Sequence, residues 1–187
     1  MDAIDRTIES VNKKGIFSSR GFSHGVSDLY TLKNAITLYA RTAVKKLQDQ
    51  GPEATVVTVF VQTHRYKKDY YNNSMTLRLP SPTAYLPDII GPAMEGLQAI
   101  FIEGISYAKV GIYLSGIDGG DRYQRDFFNL GKEKKRKLSD TIYRMQKRYG
   151  KDVIICGGNL NNDNCRMRRT MLSGCYTTKW EDLPSVE

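Results

Sequence analysis

A chain of 187 residues with 40% hydrophobic and 26% charged residues can bury one ordinary core, and it contains no apolar run long enough to span a bilayer. An odd count of three cysteines (Cys156, Cys165, Cys175) without a CxxC pair, with His24 and His64 distant in sequence, argues against a disulfide framework or a zinc site; reduced thiols in a cytoplasmic protein are expected. The net charge of +8 is concentrated in "KEKKRKLSDTIYRMQKRYGK" (132–151), where nine Lys/Arg stand against two acids, which suits either a phosphate-bearing partner or a solvated helix face.

The opening "MDAIDRTIES" is charged and lacks an apolar h-region, so neither a signal peptide nor a membrane partner is expected. "KKGIFSSRGFS" (13–23) reads as a short strand. From Ser27, a capping residue type, Leu29, Leu32, Ile36, Ala40, Ala43 and Leu47 recur at helical spacing, and Gly51-Pro52 ends the helix. "ATVVTVFVQTH" (54–64) is dense in β-branched residues and "NSMTLRLP" (73–80) alternates, which predicts a hairpin around "RYKKDYYN". Ile89, Ala93, Leu97 and Ile100 mark a second helix closing near Gly104, with Pro92 expected to kink or shorten its first turn. "SYAKVGIYLSGI" (106–117) is a fourth strand.

The order strand–helix–strand–strand–helix–strand predicts an α+β fold: a βαββαβ four-stranded, mostly antiparallel sheet with two helices on one face. Alternation sends Met75, Leu77 and Leu79 one way and Thr76 and Arg78 the other. On the fourth strand, Ala108, Val110, Ile112 and Leu114 are expected inward, and Tyr107, Lys109, Gly111 and Tyr113 outward. The resulting cationic and hydroxylic open face suits phosphate contacts, although a solvated face is common in antiparallel sheets.

Beyond Ile117, glycines loosen the chain. A third helix carries Leu138, Ile142, Met145 and Tyr149 on one stripe and stops at Gly150; "DVIIC" follows as a short strand, then a loop and a basic, aromatic tail. This C-terminal helix–strand segment reads as a small appendage. No P-loop, GxSxG, HExxH or converging carboxylate pair is present, so no catalytic or metal-ligating residue is assigned and no cofactor is expected in this chain.

Several stretches taken together, "SSRGFS", "LYARTAVKKL", "VFVQTHRYKKDYYNNSMTLRLPSPT" and "YAKVGIYLSGI", resemble the little-finger domain of UmuC-type Y-family translesion DNA polymerases, and "LSGCYTTKWEDLP" resembles the C-terminal module of that branch. The resemblance implies a division into an N-terminal extension (1–12), a little finger (13–117), a linker (118–131) and a UmuC-type module (132–187). It also implies that magnesium belongs to a palm domain not found in this chain, which should be inactive alone. The implied partner is double-stranded template–primer DNA, held during SOS lesion bypass through Ser18, Ser19, Arg20, Thr63, Arg65, Lys67, Lys68, Thr76, Arg78 and Lys109. Processed UmuD and the RecA filament are implied as partners of the C-terminal module.

"YQRDFFNL" (123–130) places two adjacent phenylalanines among glycines and charges. Gln124, Asp126, Phe127 and Phe128 fit the Gln-x-Ser/Asp-Leu-Phe peptide carried by bacterial partners of the sliding clamp, with Phe127 in the leucine position. The expected alternatives are a stand-alone nucleic-acid-binding or clamp-competing regulatory module. An RRM-like RNA binder would need exposed aromatics on its central strands, and "NSMTLRLP" supplies none.

Overall fold

The computed structural model describes residues 14–51, 53–66, 70–117, 132–150, 153–154 and 173–182. Lys67, Lys68, the 118–131 linker with Gln124, Asp126, Phe127 and Phe128, residues 1–12 and most of the tail lie outside the described residues.

The chain runs β1 (Gly15–Val26), α1 (Leu29–Gln48), β2 (Ala54–Thr63), β3 (Asn72–Thr83), α2 (Leu86–Ile100), β4 (Tyr107–Ser115) and α3 (Lys132–Tyr149), with a 3-10 turn at Trp180–Asp182. The expected α+β order is present, and the four strands pair antiparallel throughout in the order β1-β4-β2-β3. The sequence-adjacent hairpin β2–β3 forms one edge, and β4 inserts between β2 and β1.

Helix α1 starts at Asp28 rather than Ser27, because the Asp28 carboxylate accepts the Thr31 amide N–H at 2.8 Å and the Thr31 hydroxyl at 2.9 Å. These hydrogen bonds, the backbone one first, hold the Asp28 carboxyl below its ordinary value. Gly51, at φ +85°, supplies the left-handed turn that leads away from the helix. Leu32, Ile36, Ala40, Ala43 and Leu47 are all fully buried, as their spacing requires.

Helix α2 begins three residues earlier than its periodicity suggests and runs through Pro92 to Ile100. Proline removes one helical hydrogen bond. Ile89, Ala93 and Leu97, all fully buried, and Ile100 anchor the helix on both sides of that break. Against the sheet side, a Cβ on Gly96 would lie 3.3 Å from Leu77 Cδ1, a tight contact where β3 meets the helix. The core between helices and sheet is completed by Val57, Val59, Val61, Val110, Ile112 and Leu114.

One expectation about strand faces is corrected. Tyr107 is fully buried rather than outward. Gln62 pairs with Lys109 while the next β2 residue, Thr63, pairs with Tyr107, so Ala108 is an extra residue that reverses the alternation. The Tyr107 hydroxyl then accepts from the Ile102 N–H at 2.7 Å and donates to the Ile102 carbonyl at 3.2 Å, and burial pushes its pKa up. Helix α3 is present, and its apolar stripe is only partly covered, with Ile142 half-buried. Leu138, Met145 and Tyr149 are exposed, while Ile142 lies beside Val44 and Leu86 and polar groups make the specific contacts. Ser139 Oγ donates to the Ala84 carbonyl at 3.1 Å and accepts from Gln48 Nε2 at 2.7 Å. Tyr143 donates to Asp49 at 2.6 Å, and Lys135 lies 2.9 Å from Asp88. Of "DVIIC", only Val153 and Ile154 are described, and they form a bend.

Candidate nucleic-acid interface

Antiparallel partners share a face, so the register defines the open side of the sheet row by row. One row runs Ser115–Val56–Arg78; the next runs Phe17–Tyr113–Thr58–Thr76. The third runs Ser19–Gly111–Phe60–Ser74, and the last Gly21–Lys109–Gln62–Asn72. Helices α1 and α2 cover the other face, where the core lies. Thr58 and Thr76 hydroxyls meet at 2.9 Å, and Gln62 Nε2 donates to the Tyr70 hydroxyl at 3.0 Å. Arg78 on edge strand β3 and Lys109 on inner strand β4 stand at opposite ends of the face, about 20 Å apart along the strands and about 10 Å across them from strand rise and spacing.

Of the ten sequence-assigned DNA contacts, Ser19, Thr76, Arg78 and Lys109 share this face. Ser18 does not. It pairs with Ile112 and is 7% exposed on the helix side, because its neighbour Phe17 takes the outward position. Thr63 is 3% exposed, and its hydroxyl accepts the Tyr71 N–H at 2.8 Å, so it closes the hairpin end rather than facing solvent. Arg20 pairs with buried Val110 and therefore has helix-side parity, but its side chain is exposed on the edge strand. Arg65 is exposed in the β2–β3 turn.

The centre of the face is aromatic, which corrects the expectation that the central strands lack outward aromatics: "NSMTLRLP" is the edge strand β3, and the central strands β4 and β2 carry Tyr113 and Phe60. Phe17 and Phe60 stack with centroids 5.2 Å apart and planes at 15°, and Tyr113 lies 6.3 Å from Phe17. Lys109 Nζ sits 5.9 Å from the Phe17 centroid and 6.0 Å from that of Phe60. Gly111 makes this possible: the Phe60 ring occupies the space that a side chain there would fill. The available signal was parity, since "GIF", "VTVF" and "GIY" each put an aromatic outward. The adjacency depends on register.

A separate cleft of about 820 Å³ lies between α3 and the β3–α2 corner. Its lining mixes Lys135, Arg136 and Arg144 with Glu53, Asp88 and Asp140, so it offers no single-signed field to a phosphate. Among the described residues no three His, Cys, Asp or Glu side chains converge as a metal site, and no helix is long and apolar enough to cross a membrane.

Residues 13–127 match the impB/mucB/samB family C-terminal domain, and residues 136–186 match a domain of unknown function, DUF4113. The chain is 32% identical over 176 residues to Protein ImpB of Salmonella typhimurium, covering 92% of this chain and 41% of that protein. It is 30% identical over 179 residues to Protein UmuC of Salmonella typhimurium strain LT2 (94% and 42%), and 32% identical over 179 residues to Protein MucB of Escherichia coli (92% and 41%). It thus spans about two fifths of the length of these relatives. Among solved structures, an insertion ternary complex of Dbh DNA polymerase matches 55% of this chain and 28% of its own, at 8% identity and a TM-score of 0.42.

Proposed function

The chain belongs to the impB/mucB/samB family, whose C-terminal domain it carries, and from that premise we propose that it is the DNA-gripping and docking part of an error-prone, lesion-bypass DNA polymerase. The chemistry of nucleotide transfer belongs to residues outside this chain. The observation that supports the reading is the register, which gathers Ser19, Thr76, Arg78 and Lys109 on the sheet face opposite α1 and α2. Hydroxyls and cations spread over about 20 Å can follow a phosphate backbone without reading bases. Arg20 and Arg65, both exposed, are proposed as further phosphate contacts, and Lys67 and Lys68 remain proposed from the resemblance alone. A salt titration of duplex binding tests it: affinity should fall steeply and linearly in log–log form, with little dependence on sequence. Salt-independent or absent binding would contradict it.

Docking on a sliding clamp is proposed for Gln124, Asp126, Phe127 and Phe128. Two rings entering an apolar pocket, with the Gln124 amide fixing register, give a modest affinity for a peptide that must order on binding. Replacing both phenylalanines with alanine should abolish clamp binding, since aromatic anchors commonly lose about 2 kcal/mol or more each on truncation. It should leave Tm nearly unchanged. A large fall in Tm with clamp affinity intact would make the two rings core. The 132–187 module is proposed to contact processed UmuD or the RecA filament, and truncation after Gly131 should lose that partner while keeping duplex binding.

A further inference from the structure

Phosphate contacts account for the cations and hydroxyls of the open sheet face but not for its centre. Phe17 is 50% exposed and Tyr113 36%, although the neighbouring Ile16 and Ile112 bury their side chains on the opposite face. Two exposed rings beside half-buried Phe60, on three adjacent strands, call for an apolar cover of their own. The faces of paired bases in a continuous duplex are stacked on one another and cannot supply it. An unpaired base presents a flat face of matching size, and it carries phosphates on either side. Lys109, held about 6 Å from both phenylalanine centroids, stands where a flanking phosphate would follow, and Ser19 lies beside Gly111 in the Phe60 row.

We infer that the Phe17–Phe60–Tyr113 shelf takes an unpaired DNA base by stacking, so that the sheet face binds single-stranded DNA better than continuous duplex. The inference rests on the DNA-binding reading above and adds to it which form of DNA the face prefers. Phe17 is the ring to test, because it lies on the edge strand and is the most exposed of the three.

The experiment uses the full chain with a short oligonucleotide carrying 2-aminopurine, offered single-stranded and as a blunt duplex at matched salt. Binding of the single strand should quench the 2-aminopurine. Phe17→Ala should weaken single-strand binding by about tenfold and remove the quench, in keeping with the usual size of base–aromatic stacking. Duplex affinity should stay within about twofold and the salt slope should not change, since no phosphate contact is lost. Phe17→Trp should keep the quench. Unchanged single-strand affinity and quench in Phe17→Ala, or equal losses for both forms of DNA, would overturn the inference. If Phe17→Ala lowers Tm, Phe17→Leu decides, because leucine fills the space without offering a ring face; a retained quench then overturns it. Failure of the DNA-binding reading itself would look different: neither form of DNA would bind with a salt-dependent affinity.

Discussion

A Cβ added to Gly111 would sit 2.4 Å from both Phe60 Cζ and Ser19 Cβ, so this glycine is fixed by close approach rather than by backbone angle. Gly111→Ala should push the Phe60 ring off the sheet and cost about 1–3 kcal/mol, the usual range for overpacking. Chemical denaturation measures it, and an unchanged midpoint would mean the ring moves freely. The same scale explains which site residues were legible. Arg78, Thr76 and Lys109 lie on regularly alternating strand segments, so counting by two sufficed. Ser18 and Thr63 were assigned by resemblance to a motif, and parity sends both inward. Tyr107 escaped because a bulge at Ala108 resets the count, and no residue type marks that bulge in the sequence.

Among elements, α1 offers the clearest handle on stability. Its first turn is held by the Asp28 carboxylate, whose pKa is lowered by the Thr31 hydrogen bonds. A lowered folded pKa means that the cap stabilises fully above the ordinary carboxylate value of 3.8 and loses its effect as pH falls through the folded value. Asp28→Asn should therefore flatten the acid side of the Tm–pH curve while keeping much of the neutral-pH stability, and Asp28→Ala should lower Tm by a few degrees at neutral pH. Identical acid limbs for wild type and Asp28→Asn would contradict the assignment. Six elements of the sheet domain were legible in the sequence, the helices from their period and β2 from its β-branched residues, because each has one face in a common core. The edge strands β1 and β3 proved longer than read, since serines, glycines and prolines are tolerated where a strand has one free side. For α3 the periodicity identified a helix but not its polar anchors, because Ser139 and Tyr143 hold it by hydrogen bonds that no apolar pattern records.

At the scale of the molecule, the strand order was the part the sequence could not supply. That β4 inserts between β1 and β2 is a matter of pairing between segments far apart in the chain. That insertion builds the candidate interface, since it sets Lys109 against Gln62 and brings Phe17, Tyr113 and Phe60 together. A basic stretch such as 132–151 dominates the charge count, yet α3 is docked on the sheet domain, with Lys135 paired to Asp88 and Tyr143 bonded to Asp49. The face with fewer charges is the better-organised one. The central claim, that this face grips DNA through phosphates, is tested most directly by the slope of log affinity against log salt for duplex DNA, compared between wild type and the Arg78→Ala, Lys109→Ala double variant. Two lost phosphate contacts should reduce the magnitude of the slope by about 1.8. A double variant that folds normally and binds with the wild-type slope would show that the duplex lies elsewhere on the molecule.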